Sequence, residues 1–98
     1  MYEVSNQLYL EVAERLLSLM GHRDYLSGRL EFDFDSMACS MIFSAIIYRR
    51  TVQCEQGEVR LVDDVVPVWW EFHTVGEQGE VINDFSFNVL RQYLRQTL

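Results

Sequence analysis

The sequence predicts an α+β domain, an antiparallel meander of three to four strands with an N-terminal and a C-terminal helix packed on one face. Three features lead to that class. Apolar residues recur at helical spacing near both ends, they alternate with polar residues in between, and Gly-bearing turn motifs separate the alternating runs. With 98 residues there is room for one core, so residues 1–98 read as a single domain.

Leu8, Val12, Leu16, Leu19 and Met20 share one side of a helix over roughly residues 4–20, with Tyr9, Ala13 and Leu17 widening the stripe. Glu11 and Arg15 form an i,i+4 pair on its outer side. Ser5 or Asn6 caps the start, and Gly21 supplies the positive φ at which such a helix ends. From Arg29 the period becomes two: Leu30, Phe32 and Phe34 face the core, Glu31, Asp33 and Asp35 face away, and Asp35-Ser36 begins a turn. The run Cys39 to Val52 is apolar on both sides, which marks a central, covered strand.

Glu-Gln-Gly-Glu-Val occurs twice, at Glu55 to Val59 and at Glu77 to Val81, and both copies read as hairpin turns that need Gly for φ > 0. The segments around them do not match, so the repeat reads as shared turn chemistry and not as a duplication. Glu58 to Val75 exceeds an average strand and holds Asp63-Asp64 and the single proline, Pro67, so a bulge or break is expected near 63–67. Beyond it, Val68, Trp70, Phe72 and Thr74 line one face and Trp69, Glu71 and His73 the other. Val81-Ile82 allow a short fourth strand. From Asp84 onward, Phe87, Leu90 and Leu94 with Val89 and Tyr93 form a second amphipathic helix, with an acid at its start and Arg91 and Arg95 late.

Fifteen acidic against eight basic residues give a net charge of -7, which repels nucleic-acid phosphate and anionic lipid and argues against direct binding of either. Every basic residue is arginine, so lysine-dependent phosphate loops and Schiff bases are excluded. The chain carries no G-x-S-x-G, H-E-x-x-H, Gly-rich phosphate loop or paired C-x-x-C, which favours a binding protein over an enzyme and calls for no cofactor. The N-terminus lacks a basic-then-apolar run and no apolar stretch reaches 18 residues, so a cytoplasmic protein is expected. Cys39 and Cys54 fall on one extended segment, about 50 Å apart at roughly 3.3 Å per residue, and read as two reduced thiols.

Three groups of residues carry the functional alternatives. Glu31, Asp33 and Asp35 read as the solvated face of a strand, as an acidic surface that imitates a row of phosphates toward an arginine-rich partner, or as a start toward a divalent-metal site. Glu71 and His73 share a face and become weak metal or acid-base candidates if a neighbouring strand brings Asp33 or Asp35 to them; otherwise His73 is a hydrogen-bonded surface histidine. In Trp69-Trp70 the two indoles point to opposite faces. Trp70 joins the core, and Trp69 shares the far face with Ile42, Ile46 and Tyr48. Two short helices cover one face of such a sheet, so the other either curls to bury itself or meets a partner, with a homodimer preferred. The helix–meander–helix order and the acidic pI resemble those of small secretion-type chaperones, which are usually longer. The resemblance implies a dimer that holds a client segment.

Overall fold

A computed structural model describes residues 1–97 as six elements in the order α-β-β-β-β-α. They are α1 (Asn6–Met20), β1 (Tyr25–Phe34), β2 (Met37–Cys54), β3 (Gly57–Gly76), β4 (Gly79–Val81) and α2 (Phe87–Thr97). The strands form one antiparallel sheet in sequence order, with β2 and β3 central. Among the described residues, no helix is long and apolar enough to cross a membrane.

Ser5 caps α1 through its hydroxyl, which accepts from the Leu8 N–H at 3.2 Å, and Gly21 ends the helix at φ 51. Leu8, Val12, Ala13 and Leu16 are buried as expected, whereas Leu19 is exposed: its neighbour Met20 takes the core position at the end of the stripe. Glu11 and Arg15 pair at 2.9 Å, and Arg15 lies 4.6 Å above the Phe32 ring.

β1 begins at Tyr25, four residues earlier than the alternation suggests, because Gly28 interrupts the apolar series between Leu26 and Leu30. The β1–β2 turn is made by Asp35 and Ser36, both at positive φ (54 and 62), the backbone of a type I′ hairpin turn. In the two later hairpins Gly57 and Gly79 take φ 113 and 114 directly after a Glu-Gln pair.

β3 is a continuous ladder against β2 that bends without breaking. The register shifts twice, leaving Asp63 and Val68 as extra residues opposite β2. Val68 is therefore a bulge residue, 59% exposed, and not part of the inward row expected of it. Trp70, Phe72 and Thr74 keep to the helical side. There Cys39, Met41, Phe43, Ala45 and Ile47 of β2 meet Leu90 and Leu94 of α2 and the α1 stripe in one core. Phe85 stacks on Phe72 at 4.2 Å between ring centres and meets Trp70 edge-on at 5.5 Å.

Polar pins fix the borders of this core. Buried Thr74 donates to the Val81 carbonyl at 2.7 Å, holding β4 in place. The Tyr2 N–H donates to Ile82, and Asp84 accepts from the Val4 N–H at 2.7 Å, so Asp84 ties down the N-terminal strap and α2 starts three residues later, at Phe87. Arg91 and Arg95 both donate to Asp64, at 2.6 and 2.8 Å, fastening α2 to the bend of β3. The guanidinium of Arg49 donates to the carbonyls of Gly21 and Arg23, satisfying acceptors at the end of α1.

Candidate functional site

Both helices lie on one side of the sheet, and among the described residues no element covers the other side. Strand pairing arranges that side in rows across β1, β2 and β3: Tyr25–Ile46–Val66, Ser27–Ser44–Trp69, Arg29–Ile42–Glu71 and Glu31–Ser40–His73. Trp69 is thus on the helix-free face, flanked across β2 by Ile42 and Ile46, with Tyr48 one step further along. Trp69, Tyr48 and Ile46 are exposed, and Ile42 is half-buried between the Arg29 and Glu71 side chains of its row.

The face continues well beyond the helices. β1 ends its pairing at Tyr25 opposite Ile46, so β2 and β3 run on as a two-stranded arm closed by the Cys54–Gly57 pair. On the same face of the arm lie Arg50 beside Leu61 and Val52 beside Val59, all exposed. Tyr25, Val52, Val59 and Leu61 belong to the apolar surface although the sequence reading did not single them out. The signal was there: a two-residue turn at Glu55-Gln56 dictates the pairing Val52–Val59, and period two carries the Ile46 face through Tyr48 and Arg50 to Val52.

The opposite end of the face is acidic and hollow. Arg29, Glu31 and Asp33 of β1, the small Ala38 and Ser40 of β2, and Val75 of β3 line an open groove of about 470 Å³. Glu31 pairs with Arg29 at 2.7 Å. Asp35 is not the third member of this carboxylate row, because it sits in the hairpin turn, where it accepts weakly from the Tyr2 hydroxyl at 3.5 Å.

His73 does not meet Asp33 or Asp35, since β2 separates β1 from β3 and places Ser40 beside His73. Its neighbours are Glu80 at 2.7 Å on Nδ1 and Glu71 at 3.3 Å on Nε2. The hydrogen bond to Glu80, then that to Glu71, raises the imidazole pKa above its usual 6.5. The two carboxylates occupy opposite ring nitrogens and do not converge. Among the described residues no group of three or more His, Cys, Asp or Glu is arranged to hold a metal ion. Cys39 and Cys54 are both free; Cys39 is buried, which pushes its thiol pKa up, and Cys54 is exposed at the arm's tip.

Fold and surface together define a small α+β domain with a helix-covered sheet face and an apolar, uncovered one. Comparison of the chain with protein families, curated proteins and solved structures finds no match.

Proposed function

We propose that the protein is a non-enzymatic interaction module that self-associates through the helix-free face of its sheet. The observation that carries this reading is the exposed apolar surface of Tyr25, Ile46, Tyr48 and Trp69, carried past Arg50 by Leu61 to Val52 and Val59. An apolar strip that runs from the middle of the sheet to the arm is more than a soluble monomer usually exposes.

The amount of surface supports it. The chain exposes 6477 Å², against about 5,800 Å² for a compact monomer of its 11.6 kDa. Its radius of gyration is 15.1 Å, where a compact domain of this length has about 12.6 Å. At about 3.3 Å per residue and 4.8 Å between strands, the body rows and the arm present a footprint of roughly 700 Å². Stable interfaces bury about 600–1,000 Å² per partner, and the footprint falls within that range.

Light scattering over a range of concentrations tests the reading. The wild type is expected to give a dimer mass, and Trp69→Ala to weaken association by about tenfold or more, as for a central aromatic anchor. Trp69 lies outside the core, so its circular dichroism should be unchanged. A monomer mass at the highest soluble concentration overturns the proposal.

A further inference from the structure

The two ends of the helix-free face differ in both shape and charge, and the difference is complementary. Along β2 the outward residues of the arm half are Tyr48, Arg50 and Val52, whereas those of the body half are Ser44, Ile42, Ser40 and Ala38. The arm end is therefore raised and the body end hollow, where the groove of about 470 Å³ opens. The arm's charged residue on this face is Arg50, in ion-pair range of Asp63 at 3.7 Å. The body end carries Glu31, Asp33, Glu71 and Glu80 against Arg29 and His73.

Resting on the reading of a self-associating face, we infer that the partner is a second copy stacked antiparallel, the arm of each chain lying in the acidic groove of the other. A two-fold axis crossing the strands at Ile46 relates positions equally far from it. Tyr48 then lies over the partner chain's small Ser44 position, beside the Trp69 indole. Arg50 falls on the row Arg29–Ile42–Glu71, in which Arg29 is already paired with Glu31 at 2.7 Å and Glu71 is left to meet the incoming guanidinium, and Val52 falls on the row of Ser40. Each large residue meets a small or half-buried one, and Arg50 meets a carboxylate, which are the two kinds of fit that specify a register. The parallel alternative places Arg50 against Arg50 and leaves groove facing groove.

Cys54, exposed at the arm tip while Cys39 is buried, allows the orientation to be measured on the natural chain. Nitroxide labels at Cys54 are read by double electron–electron resonance. Eight residues separate Cys54 from the axis at Ile46, so the antiparallel dimer should give a tip-to-tip distance of roughly 50 Å. A parallel stack puts the tips about 10–20 Å apart. A short distance overturns the antiparallel arrangement and leaves the self-association reading intact; a monomer mass by light scattering overturns that reading and this inference with it. Arg50→Glu should weaken the dimer about tenfold, and adding Glu71→Arg to the same chain should restore it, because in a two-fold interface each swapped pair meets its complement. Unchanged association in Arg50→Glu excludes the Arg50–Glu71 contact.

Discussion

One ladder, β2 paired with β3, serves two halves of the molecule that differ in everything except backbone geometry. In the body half, Met41, Phe43, Ala45 and Ile47 of β2 are fully covered by the helices; in the arm half, residues 50–61 are exposed on both faces. Hydrogen-bonded pairing continues across the boundary, whereas burial stops at it. Pairing thus determines how far the chain reaches, and apolar cover determines how firmly each part is held, since a two-stranded ribbon is only marginally stable alone in water.

The sharpest way to break this contrast is to truncate one apolar residue in each half. Phe43→Ala removes a side chain that is 1% exposed at the centre of the core and should cost about 3–5 kcal/mol in denaturant unfolding. Val52→Ala, on the same strand but in the arm, should change monomer stability by less than about 0.5 kcal/mol. Equal losses at the two positions would mean that the arm is held by the fold and not by a partner.

The boundary between the halves is fastened by Asp64, and a smaller effect is expected there. Its carboxylate accepts from Arg91, Arg95 and the Val65 N–H, and the Arg91 hydrogen bond leads the lowering of its pKa below the usual 3.8. A depressed carboxylate stabilises the fold above its unfolded pKa, and that contribution disappears as pH falls through the lowered folded value. Asp64→Asn should therefore cost about 1–3 kcal/mol at neutral pH, and the gap to wild type should close in acid. A gap that persists unchanged through the acid range would show that Asp64 acts by shape and not by charge.

How much of this was legible depended on whether a feature is local. Both amphipathic helices, the central position of β2 and the two Gly turns follow from periodicity and turn chemistry within short windows, and the structure has all of them. The opposite facing of Trp69 and Trp70 follows from the pleat alone. Leu19 failed because two adjacent apolar residues at a helix end compete for one core position, and tertiary packing selects Met20. The Asp35-Ser36 turn is where its residue types place it, but Asp35 does not belong to the carboxylate row of Glu31 and Asp33, because at positive φ in the turn it no longer follows the strand's alternation. Asp64 and Arg49 were invisible as anchors, since each binds a distant element through a bulge or helix end that exists only once the sheet is formed. His73 is a metal or acid-base candidate only if a neighbouring strand brings Asp33 or Asp35 to it; β2 lies between β1 and β3, so the histidine is instead a hydrogen-bonded surface residue, held by Glu80 and Glu71.

That last pairing carries the smallest predicted effect and locates it at the far end of the sheet from the arm. Glu80 first, and Glu71 second, hold His73 above its ordinary pKa of 6.5. A histidine raised in the folded state stabilises most below its unfolded pKa, and the contribution is lost as pH rises through the raised folded value. The side chain is 43% exposed, so screening keeps the gain within the 0–1 kcal/mol of about any surface ion pair. His73→Gln should leave the urea midpoint nearly unchanged at alkaline pH and lower it slightly below about pH 6, where the wild-type imidazolium is fully formed. A midpoint difference that instead grows toward alkaline pH would reverse the sign and identify neutral imidazole as the form that ties β3 to β4.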